Sequence, residues 1–89
     1  MNQKVIIESL AMDLKRVALG LHRGSNIMAN RFKQEALERA EELESASPSE
    51  YLQRLIMETR KRLQGTEDRI AEDSLMLSIL FQNFALKNL

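Results

Sequence analysis

The chain has no cysteine and no tryptophan, one proline, one histidine and three glycines. Without cysteine there are no disulfides, thiolate metal sites or thiol nucleophiles, and nothing argues for an oxidising compartment. One histidine is too few for the Glu-x-x-His pairs from which helical bundles usually build metal centres. Three phenylalanines and one tyrosine provide little surface on which nucleobases could stack. Charge of one sign is also missing. Thirteen basic and thirteen acidic residues leave a net charge of zero, whereas a protein built to sit on a polyphosphate backbone is expected to carry a positive excess. No apolar run reaches the roughly 20 residues needed to cross a bilayer. Glu8 and Asp13 interrupt the N-terminal MNQKVIIESLAMDL before a signal-peptide core forms. The expectation is a soluble, cytoplasmic chain that needs no cofactor, membrane or small-molecule substrate.

Eighty-nine residues make one domain, residues 1–89, with a thin core that would gain from burial between subunits. The charges fall in blocks of alternating sign. Residues 1–33 carry +4, 34–53 carry −5, 54–65 carry +3 and the remainder −2. Such blocks suit docking within or between subunits better than a nucleic-acid footprint.

The few breakers divide the chain into four. Gly24 follows His22 and Arg23, a favourable helix ending, and Ser25 offers an N-cap to the next helix. In SASPSE, Ser47 and Glu50 have capping-box spacing with Pro48 at the first helical position. Gln64-Gly65-Thr66 closes one helix and caps another, with Glu67 and Asp68 at the positive end of the new one. Helices are therefore expected over about 3–22, 26–44, 48–63 and 67–87. Short connections favour antiparallel neighbours. The fold class is all-α: four helices in two antiparallel hairpins, a helical bundle completed by dimerisation.

The apolar period is helical throughout. The first helix aligns Ile7, Leu10, Leu14, Val17 and Leu21 on one face. The second aligns Ala29, Phe32, Ala36, Ala40 and Leu43, a flat stripe that admits a close neighbour. The third aligns Leu52, Ile56, Thr59 and Leu63, with Leu55 beside them. The fourth carries two stripes. Ile70, Leu77, Phe81 and Phe84 form one, while Leu75, Ile79, Leu86 and Leu89 lie nearly opposite. Val5, Met12 and Leu19 repeat the anomaly on the first helix every seven residues, the recurrence of a helix–helix seam. A second stripe needs a second neighbour: another copy of the chain, a foreign protein, or complete enclosure by the other three helices. Closed homodimers are the commonest soluble oligomers. Val5, Met12, Leu19, Leu75, Ile79, Leu86 and Leu89 are thus the candidate interface of a non-enzymatic, homodimeric protein–protein interaction or regulatory module.

Two other chemistries have sequence support. Lys15, Arg16, Arg23, Arg60 and Arg62 would serve a nucleic-acid-binding dimer if they gathered on one surface. The heptapeptide RVALGLH (Arg16–His22) resembles the Arg-x4-6-His element of HEPN ribonuclease domains, which are helical and often dimeric. That resemblance covers seven residues. It implies that Arg16 neutralises a phosphate and His22 acts as acid, base or orienting group, although the two lie about 120° apart on a helix. The acids Glu35, Glu38, Glu41, Glu42, Glu44 and Glu50 are expected to form a solvated face rather than a metal site, with Arg31, Glu35 and Arg39 as an i, i+4 ladder.

Overall fold

A computed structural model describes residues 2–89. Four helices follow one another: α1 (Gln3–His22), α2 (Asn26–Ser45), α3 (Glu50–Arg62) and α4 (Glu67–Asn88). α1 packs against both α2 and α4, and α3 closes the ring by touching α2 and α4. Among the described residues the diagonal pairs, α1 with α3 and α2 with α4, keep their backbones apart. The bundle measures 34 × 20 × 19 Å.

The first turn shows how sequence sets this geometry. Gly24 takes the left-handed conformation, φ +74°, which glycine adopts without a Cβ penalty. The Ser25 N–H then reaches the Gly20 carbonyl at 2.8 Å and the Gly24 N–H reaches Leu21 at 3.1 Å, the paired bonds of a Schellman ending. Ser25 Oγ accepts from the Met28 N–H at 3.3 Å, so one serine ends α1 and starts α2. Gly20 lets the two helices close: a Cβ there would lie 2.8 Å from the Ala29 nitrogen.

Two of the expected helix signals act differently. Ser47 does not cap α3; it sits at φ 53° and leads into the buried Pro48. The cap is Ser49, whose Oγ accepts from the Leu52 N–H at 3.3 Å. Proline at 48 therefore precedes the helix, and Gln53 Nε2 donates back to its carbonyl at 3.0 Å. Glu50 supplies the first-turn negative charge. At the other break, α3 ends in tight turns, with Gly65 N–H on the Arg62 carbonyl at 3.1 Å. Gly65 shows no left-handed φ. Thr66 holds the N-cap position of α4 without a side-chain cap bond.

The core is continuous through the ring. Ile7, Leu10, Leu14 and Val17 of α1 meet Ala36, Ala40 and Leu43 of α2, Leu52, Ile56 and Leu63 around α3, and Leu77 and Phe81 of α4. Leu21, Phe32 and Phe84 are partly buried against it. Thr59 is buried because its hydroxyl donates to the Leu55 carbonyl at 2.8 Å. Of the two stripes on α4, the one containing Leu77 and Phe81 faces inward.

Candidate interaction surface

α1 and α4 run antiparallel with small residues at their seam. Ala11, Ser74, Ser78 and Ala85 are buried there, short enough for the backbones to approach closely. Ser78 Oγ donates to the Ala11 carbonyl at 2.8 Å near mid-seam. Toward the turn end, Ala18 and Ala71 floor an outward-facing groove of about 370 Å³ between Leu19 and Leu75, with Lys15, His22 and Glu72 around it.

The outer sides of these two helices carry the second stripes. Val5, Met12 and Leu19 on α1 are exposed, as are Leu75, Ile79, Leu86 and Leu89 at the end of the chain. Ile79 is 50% and Leu86 75% exposed, whereas Phe81, between them, is fully buried. The other three helices do not enclose α4: among the described residues its backbone lies close only to those of α1 and α3, and its second stripe stays exposed. Met76, also on α4, adds to the exposed apolar surface. Its neighbours in sequence hide this signal, since it falls between the two stripes. Ile27, Tyr51 and Met57 are exposed on α2 and α3.

Four of the five basic candidates, Lys15, Arg16, Arg60 and Arg62, are drawn to different grooves and ion pairs. Lys15 lines the groove between α1 and α4, whereas Arg16 lines the one between α1 and α2, its guanidinium 5.2 Å from the centre of the Phe32 ring. Arg60 is clamped on Glu44 at 2.7 and 3.3 Å, a hydrogen-bonded pair that holds the Glu44 carboxyl below its ordinary range. Arg62 bonds Glu58 at 2.9 Å and Asp73 at 3.1 Å. Arg16 and His22 face different grooves as well. No three metal-ligating side chains converge among the described residues, and no helix there is long and apolar enough to cross a membrane.

The acidic face holds one departure from expectation. Arg31 and Glu35 stand at 3.8 Å, but Arg39 does not continue their ladder. It turns to Glu42 at 3.2 Å and to Asp13 at 3.9 Å. Asp13 is a buried acid on α1, and burial together with the Glu35 charge pushes its carboxyl up to about 6. Sequence reasoning passed over it, although a signal exists. Asp13 stands three residues after Leu10 and four before Val17, a position on the apolar stripe.

The chain matches no known family model, no curated protein and no solved structure.

Proposed function

We propose that this protein is a non-enzymatic interaction or regulatory module of the cytoplasm that acts as a homodimer, pairing through the outer faces of α1 and α4. The observation that carries this reading is the exposure of Val5, Met12, Leu19, Leu75, Ile79, Leu86 and Leu89 on two adjacent helices. Exposed apolar side chains in this number on two neighbouring helices support an interaction site, as larger apolar patches do on small proteins.

The geometry favours a second copy as the partner. In an isologous interface the same patch on both copies meets across a two-fold axis, so each apolar residue of one face finds an apolar counterpart on the other. The heptad spacing of Val5, Met12 and Leu19 suits a facing helix. Pairing would set α1 and α4 against their counterparts in a new layer of four helices, deepening a core that one short chain leaves thin.

Sedimentation equilibrium tests the reading. Wild type is expected at twice the 10.3 kDa chain mass, and the Ile79→Glu, Leu86→Glu double variant at the single-chain mass with unchanged helical circular dichroism. A wild type that stays monomeric at high micromolar concentration refutes the pairing. A double variant that remains dimeric moves the interface elsewhere.

A further inference from the structure

The two outward stripes share one centre. Ser78 Oγ bonds the Ala11 carbonyl at 2.8 Å, so Met12 and Ile79, next in sequence to these two, lie at the same height on adjacent antiparallel helices. Val5 and Leu19 stand seven residues to either side of Met12, and Glu72 and Leu86 seven to either side of Ile79. Away from that centre the face is not uniform. Toward the turn end, Ala18 and Ala71 floor the groove of about 370 Å³, roughly 10 Å away at the rise of an α-helix. Toward the other end Leu86, 75% exposed, projects at a similar distance. One half of the face offers a hole and the other a knob. The charges follow the same division. Lys15 and Glu72 border the groove, whereas Glu8 and Lys87 belong to the far half. All four are exposed, and none has an ion-pair partner within the chain among the described residues.

We infer, on the footing of the pairing proposed above, that Leu86 of each copy seats in the Ala18–Ala71 groove of the other. The two-fold axis that achieves this is perpendicular to α1 and α4 and crosses their outer face near Met12 and Ile79. Such an axis reverses the partner end for end, so each hole faces a knob and every contact occurs twice. It sets Met12 against Met12, Ile79 against Ile79 and Val5 against Leu19. Glu72 comes beside Lys87, and Lys15 beside Glu8. Each charge then meets its opposite, which fixes register more than strength. An axis running along the helices keeps every height unchanged instead. Groove would lie level with groove and Leu86 level with Leu86, leaving both holes unfilled. A leucine knob over small residues is the packing that helix seams use.

The chain has no cysteine, so introduced cysteines read this geometry directly under mild oxidation, with sedimentation of the reduced proteins alongside. A disulfide needs its two Cα atoms about 4.4–6.8 Å apart. Met12→Cys, on the axis, is expected to cross-link to itself at least about tenfold faster than Val5→Cys or Leu19→Cys alone. Mixing Val5→Cys with Leu19→Cys is expected to give the crossed dimer. Ala71→Leu fills the groove and is expected to raise the dimer Kd at least about tenfold, with helical dichroism unchanged. Glu72→Lys should weaken pairing several-fold, and adding Lys87→Glu should restore it. The cross-links decide the geometry whether or not Ala71→Leu folds. A monomeric wild type removes the pairing and this geometry together. A wild type that dimerises while Met12→Cys cross-links no faster than Val5→Cys or Leu19→Cys overturns the geometry alone, as does a folded Ala71→Leu with undiminished pairing.

Discussion

Ser78 Oγ donates a 2.8 Å hydrogen bond to the main-chain oxygen of Ala11 across the seam of α1 and α4. Both partners are buried, so this bond fixes the register of the two helices that carry the proposed pairing face. Ser78→Ala is expected to cost about 1 kcal/mol, read as a lower urea midpoint with an unchanged slope. Ser78→Leu would force the helices apart and cost roughly 1–3 kcal/mol.

Gly20 and Gly24 should fail for opposite reasons. A methyl at Gly20 would meet the Ala29 nitrogen at 2.8 Å and its Cα at 3.1 Å, and backbone cannot swing aside. Gly20→Ala should therefore lose roughly 1–3 kcal/mol from overpacking, despite a helix-propensity gain of up to about 1 kcal/mol. At Gly24 there is open space but φ is +74°. Gly24→Ala should cost about 1 kcal/mol and Gly24→Asn less. Thermal melts of the three variants check the order.

Asp13 makes stability depend on pH with a definite sign. Its folded pKa is raised from 3.8 to about 6, so the folded state holds the proton more tightly. The associated stabilisation is complete below about pH 4 and is lost as pH rises through about 6. A shift of this size corresponds to roughly 3 kcal/mol. Asp13→Asn should flatten the stability profile between pH 4 and 7 and be more stable than wild type at pH 7.5. Chemical denaturation across that range would show it, and a wild-type profile without a fall toward neutrality would contradict it.

The two stripes of α4 should respond differently to truncation. Phe81 is fully buried, so Phe81→Ala is expected to cost about 3–5 kcal/mol. Ile79 projects outward, and Ile79→Ala should change the stability of the isolated chain by no more than about 0.5 kcal/mol. Denaturation at low protein concentration keeps the comparison free of any association.

The start of α3 distinguishes two neighbouring serines. Ser49 carries the cap bond, so Ser49→Ala should cost about 1 kcal/mol. Ser47 occupies φ 53°, and Ser47→Gly should stabilise by up to about 1 kcal/mol through relief of that conformation. The reverse ranking would restore the capping role to Ser47.

The four helices, their short connections and the inward stripes were readable because each rests on a local signal: an apolar period, Gly24, Ser25. The exposed seven were readable for the same reason, as periodicity names two faces of α4 even though it does not say which turns inward. The α3 cap was misplaced because Ser47 and Ser49 offer the same hydroxyl, and only backbone conformation separates them. The burial of Asp13 was legible from its place on the apolar stripe, but its surroundings were not, because Arg39 and Glu35 belong to another helix and no local pattern brings them together. Arg39 leaves its expected ladder for that reason: a buried carboxylate attracts a guanidinium more strongly than one already in water.

Tyr51 stacks on Phe84 with ring centroids 5.7 Å apart and planes 20° from parallel. In a chain with no tryptophan and a single tyrosine, that ring is the sole strong absorber near 280 nm. Tyrosine fluorescence and dichroism near 280 nm consequently report one location, the joint between the third and fourth helices. A loosening confined to that joint becomes visible without any added label, while far-ultraviolet dichroism follows the helices as a whole.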